Sequence, residues 1–222
     1  MRTLDLILEK NIRILDENMV EVQFSVVGNV KSKDGINKLY VQFKAHGQCR
    51  KFINSLNEVS ICTTESNMES YYRIENNVGE AAVVPKHIAD IETERFVIDN
   101  VTDANNNYTR FVIFKRGKFD STEINSVKQH ISLKGNSTRV RIPVYIMPKI
   151  DRPGILFEIL GKFYENKINL ISIMSRPTKQ EIGTYNFYIE IDALYEKIDI
   201  ILKTLDKIKV NNDIKVLGIY SE

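Results

Sequence analysis

Cysteine is scarce in this chain: Cys49 and Cys62 are the only two among 222 residues. Two thiols make no disulfide framework, so a reduced, cytoplasmic setting is the simplest expectation. Histidine is scarce too. His46, His87 and His130 are far apart, none at metal-ligand spacing with a cysteine or another histidine, and no metal centre is expected. No apolar run approaches the ~20 residues that a membrane-spanning helix needs, which argues against a membrane segment. The opening stretch, MRTLDLILEKNIRILDEN, mixes acidic and basic residues into its apolar positions and lacks the uninterrupted core of a secretory signal. A charge excess of one sign is missing as well. The 31 basic and 29 acidic residues leave a formal charge of +2, with no basic stripe interleaved with aromatics, so nucleic acid is not an expected partner. Internal repeats and low-complexity tracts are absent.

What remains is an ordinary globular composition, 43% hydrophobic and 27% charged, long enough for one large domain or two small ones. In the first half, Val20, Val22, Phe24 and Val26 alternate as a half-buried strand would, and Leu39, Val41 and Phe43 suggest another. Cys49, Phe52, Ile53 and Leu56 recur at helical spacing. Val59 to Thr63 reads as a short strand and Met68 to Ile74 as a short helix. The continuous run Ala81-Ala82-Val83-Val84 has the character of a strand buried on both faces, and Phe96-Val97-Ile98 and Phe111-Val112-Ile113-Phe114 read the same way. The expectation is an α/β lobe over residues 1–116 with an open, mostly parallel sheet. From 117 to 137, Gly117, Asp120, Ser121, Asn125, Gly135 and Asn136 break any apolar period, which reads as a connection.

Residues 138–222 are more regular. Ile142, Val144 and Ile146 alternate. Asp151 is a candidate helix cap with Pro153 near the first turn, ahead of Ile155, Leu156, Ile159, Leu160 and Phe163 at helical period. A strand from Ile168 to Met174 follows. Tyr185, Phe187, Ile189 and Ile191 alternate strictly with polar partners. Ile198, Ile201, Leu202, Leu205 and Ile208 line one helix face, and Ile214 to Tyr220 closes as a last strand. The order βαββαβ is ferredoxin-like.

The string DRPGILFEILGKFYENKINLISIMSRP, with YNFYIEID and KVLGIYSE after it, resembles the ACT regulatory domain of prephenate dehydratases. The matching positions are Gly154, Ile155 and Leu156, then Asn169 and Leu170, then Ser175, Arg176 and Pro177; the family's Glu in the last group is Met174 here. The resemblance implies a free amino acid, L-phenylalanine, as effector, held by Gly154, Ile155, Leu156, Asn169, Ser175 and Arg176, and a homo-oligomer formed through this domain. The chemistry is compatible: a glycine allows close backbone approach, helix N-terminal amides attract a carboxylate, and an Asn side chain both donates and accepts.

The first half resembles the family's second, periplasmic-binding-protein-like lobe. HGQCRKFI matches its Gln-Cys helix start. TESN matches a Glu-Ser-Thr motif, with Asn67 in place of Thr. The run Asp103…Asn107-Tyr108-Thr109-Arg110-Phe111 matches Asp-x-x-x-Asn-x-Thr-Arg-Phe throughout. Taken alone, Thr109 reads as a β-branched residue opening a strand, and Cys49 as a buried structural thiol. The resemblance instead implies that Thr109 is catalytic in turning prephenate into phenylpyruvate, with Ser66, Asn107 and Arg110 binding substrate and no cofactor. The family's earlier Gly-Pro-x-Gly-Thr-Phe-Ser and Glu-Asn-Ser motifs do not occur in this sequence. Three expectations therefore stand side by side: a dehydratase completed by a companion chain carrying the first lobe, a non-catalytic amino-acid-sensing regulatory protein, and a structural role.

Overall fold

The computed structural model describes all residues except 1–5, 8–9, 75–76, 105, 118, 134–137, 179–183 and 222. The chain forms two compact units, one of residues 19–110 and the other of residues 1–18 with 111–222. Strand β1 (Ile12–Glu21) spans the division in sequence, and so does its partner in a two-stranded ribbon, Tyr108–Arg116, described below as β7.

The unit of residues 19–110 holds β2 (Phe24–Gly28), β3 (Lys38–Gln42), α1 (Phe43–Gln48), α2 (Arg50–Asn54), β4 (Ser60–Thr64), α3 (Asn67–Arg73), β5 (Glu80–Pro85), α4 (Lys86–Ala89) and β6 (Phe96–Ile98). The sheet order is β4-β3-β5-β2-β6. β3 runs parallel to β4 and β5, while β2 is antiparallel to β5 and β6, so one reversed strand sits in an otherwise parallel sheet. Val26, Val27, Leu39, Val41 and Ala81 to Val84 are fully buried, as the apolar runs of β2 and β5 require of strands covered on both faces.

Three local expectations change. The alternation Val20 to Val26 belongs to two strands, because the chain leaves β1 at Glu21 and enters a different sheet at Phe24. Phe43 is not the end of a strand: it opens α1 and is 76% exposed. The run Phe111 to Phe114 lies in the β1–β7 ribbon with Phe111, Ile113 and Phe114 exposed, since a two-stranded ribbon cannot cover both faces of a strand.

The second unit contains α5 (Ser121–Ser132), β8 (Arg139–Pro148), α6 (Ile155–Glu165), β9 (Asn169–Pro177), β10 (Tyr185–Leu194), α7 (Ile198–Lys209), β11 (Asn212–Val216) and β12 (Tyr220–Ser221). The order β11-β8-β10-β9 with antiparallel neighbours makes the βαββαβ sheet. Ile142, Val144 and Ile146 of β8 and Phe187, Ile189 and Ile191 of β10 face Ile159 and Phe163 of α6 and Ile201, Leu205 and Ile208 of α7. The opposite face is buried too. Tyr145 and Tyr188 meet edge to face at 5.5 Å and pack with Ile7, Ile14, Leu217 and Tyr220. An arm that includes Ile7 and residues 12–17 thus covers that face, fixed by a Glu17–Arg141 ion pair at 2.8 Å and by the Tyr220 hydroxyl donating to Glu17 at 2.9 Å.

The segment read as a connection contains a helix. Asp120 caps α5, its Oδ1 accepting from Thr122 N and Glu123 N at 3.0 and 3.1 Å, and Ile124, Val127 and Ile131 pack at helical spacing on the core of the βαββαβ unit. The expected connection also includes residues 118 and 134–137, which lie outside the described residues. The final strand breaks into β11 and β12 around Leu217-Gly218-Ile219, and both pieces pair with β8. The exposed edge formed by a single long strand is β9.

Candidate active and effector sites

The parallel strands β3 and β4 end side by side, and each hands over to a short helix whose first amides are capped by a side chain. At β3, Gln42 Oε1 accepts from Lys44 N at 2.8 Å and Ala45 N at 3.1 Å. At β4, Ser66 Oγ accepts from Glu69 N at 3.1 Å while the Glu69 carboxylate reaches back to Glu65 N at 2.9 Å. Ser-x-x-Glu at 66–69 is a capping-box pattern readable in the sequence. The Glu65 amide and the Arg73 guanidinium hold the Glu69 carboxyl below its ordinary range. Beneath, Thr64 Oγ1 and Ser70 Oγ share a buried hydrogen bond at 2.6 Å. Carboxyl ends of parallel strands are where open α/β sheets place ligands. Here they floor a shallow depression of about 330 Å³ lined by Gln42, Gln48, Ser66 and Asn67, among others.

Asn107 joins this rim. Its Nδ2 donates to Gln48 Oε1 at 3.1 Å and to the Val22 carbonyl at 2.9 Å, and its own carbonyl accepts from Val22 N at 2.8 Å. Ser66 thus lines the depression itself, while Asn107 reaches it only through the lining residues Gln48 and Val22. Thr109 and Arg110 lie in the opening turns of β7 (Tyr108–Arg116), Thr109 exposed and Arg110 half-buried; neither lines the depression. Cys49, beside Gln48, is fully buried, and desolvation followed by the Asp103 charge pushes its thiol up to about 12. It is a neutral core group.

The effector residues divide. Gly154 caps α6 in a left-handed conformation, φ +87°, with open space where a Cβ would stand. The expected cap Asp151 is displaced from that position because only a residue tolerating positive φ closes the turn. Ile155 is buried in the core yet borders a depression of about 310 Å³ beside Arg152, and Leu156 packs half-buried on the core. Ser175 and Arg176 pair across β10 with Phe187 and Asn186, level with Ile146 near the end of β8 from which the chain proceeds to Gly154. Asn169 pairs with Asp192, level with Arg141 at the other end of the sheet. Six strand residues separate Asn169 from Ser175, ~20 Å at the rise of a β-strand. One chain does not bring them together.

The family model described as prephenate dehydratase matches residues 1–119. The chain belongs to the prephenate dehydratase family. An ACT domain model matches residues 149–194 of the same chain. Among relatives, the prephenate dehydratase of Methanocaldococcus jannaschii is 29% identical over 208 residues, covering 92% of this chain and 71% of the relative. The bifunctional chorismate mutase/prephenate dehydratase of Aquifex aeolicus is 25% identical, covering 98% of this chain and 56% of the relative. This prephenate dehydratase family member thus spans 71% and 56% of the length of these two relatives. Its fold is similar to that of the solved Arthrobacter aurescens prephenate dehydratase in complex with L-Phe, with a TM-score of 0.77 at 23% identity over all of this chain and 70% of that one.

Two groups in the lobe were not given roles by sequence reasoning: Gln42, the α1 cap, and Asp103. Asp103 had a visible signal, its fixed spacing from Asn107. Gln42 had none, because a Gln cap depends on a strand ending at that residue.

Proposed function

We propose that this chain is a prephenate dehydratase of L-phenylalanine biosynthesis, working in the cytoplasm under feedback from L-phenylalanine through its ACT domain. The observation that carries the reading is the family match over the lobe that holds Ser66, Asn107 and Thr109 together in one unit. Two free thiols, Cys49 and Cys62, suit a reducing compartment.

In the reaction, the ring carboxylate leaves as carbon dioxide, its bonding electrons flow into the ring, and the ring C–OH bond breaks. The departing oxygen takes up a proton and leaves as water. Aromatisation drives the step. The protein's task is to hold two carboxylates and stabilise the departing oxygen. The Thr109 hydroxyl, exposed at the mouth of β7, donates a hydrogen bond to that oxygen. Ser66 keeps its O–H as a donor while its oxygen caps α3, and Arg110 orients a substrate carboxylate. The depression is shallow and open, so the opposing wall comes from a companion lobe.

On the regulatory side, β9 is an edge strand that exposes Ile171 and Ile173. Pairing two β9 edges antiparallel about Ile173 places Asn169 of one copy opposite Pro177 of the other, next to Arg176 and Ser175. The effector residues that one chain keeps apart then form a set between two copies. This is the arrangement we propose for L-phenylalanine, the ligand present in the Arthrobacter relative.

Product analysis tests the reading. One carbon dioxide should appear per phenylpyruvate when prephenate is supplied at neutral pH. Phenylalanine binding with no product in the presence of a complementing lobe would favour the alternative, a non-catalytic amino-acid sensor, which the replacement at Asn67 supports.

A further inference from the structure

Helix α2 starts at Arg50, and its N-cap residue, Cys49, makes no side-chain cap bond. A thiol is a weak acceptor, so the first amides need another partner. Asp103 supplies it from more than fifty residues downstream. Its Oδ2 accepts from Arg50 N at 3.0 Å and its Oδ1 from Lys51 N at 2.9 Å. The Asp103 amide returns a hydrogen bond to the Gln48 carbonyl at 2.7 Å. One residue earlier, Thr102 Oγ1 accepts from Phe24 N at 2.7 Å. Four residues later, Asn107 binds Gln48 and Val22. Thr102, Asp103 and Asn107 are thereby tied to α2, to Gln48 and to the entry of β2. Thr109 follows two residues on. Among the described residues, no hydrogen bond of the Thr109 side chain fixes its place, so the backbone places it: β7, paired with β1, and the anchored Asp103 and Asn107 that lead into that strand.

We infer that Asp103 is a positioning residue for the reaction: by accepting both α2 amides it sets where the chain presents the Thr109 hydroxyl. The inference rests on the reading of Thr109 as the group that assists the departing oxygen. Asp103 does not touch substrate. Its contribution is geometric, since charge-assisted bonds to two backbone amides are short and directional. A carboxylate offers two acceptor oxygens; an Asn at 103 keeps one, and an Ala keeps none.

The test compares Asp103→Ala and Asp103→Asn in the full chain, with whatever lobe supports wild-type turnover. Two quantities are read: the kcat and KM of the folded fraction, and amide hydrogen exchange at Arg50, Lys51, Tyr108 and Thr109. Asp103→Ala should lower kcat about a hundredfold with KM within about threefold, the signature of a misplaced reacting group. Asp103→Asn should recover to within about tenfold of wild type, because one oxygen still accepts. Exchange should rise at Arg50 and Lys51 and also at Tyr108 and Thr109 in Asp103→Ala, with β5 unchanged. A purely structural Asp103 would reduce the folded fraction but leave its kcat and the exchange at Thr109 as in wild type. Either of those results overturns the inference. If the wild-type protein itself forms no phenylpyruvate, the Thr109 reading falls, and the exchange data alone decide whether Asp103 sets the position of residues 108–109.

Discussion

Cys49 illustrates how a residue's surroundings decide its chemistry. In isolation a cysteine suggests a nucleophile, but this one is buried between α1 and α2, and desolvation with the nearby Asp103 carboxylate pushes its thiol up to about 12. The native state therefore binds the thiol proton more tightly than the unfolded chain, whose cysteine titrates near the ordinary ~8.5. The resulting stability is fully present below that value and is lost as pH rises from there toward about 12. Denaturant midpoints measured from pH 8 to pH 11 should fall with pH in wild type and fall less in Cys49→Ala. Equal slopes would show that Cys49 titrates as it does in the unfolded chain. Ser66 and Asn107 carry the same lesson in the other direction. Both were legible as motif residues, and both turn out to hold backbone as well: Ser66 caps α3, and Asn107 clasps Gln48 and Val22. The Ser66 cap is local and its Ser-x-x-Glu pattern stands in the sequence, whereas the Asn107 bonds depend on where distant segments pass.

Among the elements, those with a clear hydrophobic period were legible, and those whose surroundings set their burial were not. The strict alternation of Tyr185 to Ile191 and the stripe from Ile198 to Ile208 became β10 and α7 as expected. Helix α5 was hidden because polar residues fill its exposed side, leaving only Ile124, Val127 and Ile131 to mark the buried one. Phe111 to Phe114 misled because apolar content does not report whether a strand has neighbours on both sides. The break between β11 and β12 falls at Leu217-Gly218-Ile219. At Gly218 the backbone lies directly against the arm: Ile14 N donates to the Leu217 carbonyl at 2.6 Å, and a Cβ at 218 would overlap the Ile14 carbonyl oxygen. Gly218→Ala should therefore cost ~1–3 kcal/mol by forcing the arm away from the sheet. Thermal or denaturant unfolding checks this, with Gly161→Ala, whose Cβ meets nothing within 4 Å, as the control. Comparable stability in the two variants would mean that the arm does not pack as described.

For the molecule as a whole, what matters is that one chain does not bring the expected effector residues together. The effector set is separated along β9, and the exposed β9 edge offers the way to complete it. L-Phenylalanine should therefore shift the protein toward the dimer and raise its melting temperature, because a ligand bound only by the associated state stabilises it by mass action. Sedimentation velocity with and without L-phenylalanine reads this directly. Ile173→Lys, which sets a charge on the pairing edge, should abolish the shift without unfolding the monomer. A phenylalanine-dependent shift that survives Ile173→Lys would place the interface elsewhere.

On this reading Thr109 supplies the hydroxyl that assists the departing oxygen. The decisive measurement is the initial rate of phenylpyruvate formation from prephenate at neutral pH, against a protein-free blank, for wild type and Thr109→Ala with and without a complementing first lobe. Loss of a single positioned hydroxyl that assists proton transfer to the leaving group should lower kcat by ~10²–10⁴, with the melting temperature unchanged because the Thr109 side chain is exposed. Equal rates for the two proteins, or no rate above the blank under either condition, would contradict the assignment.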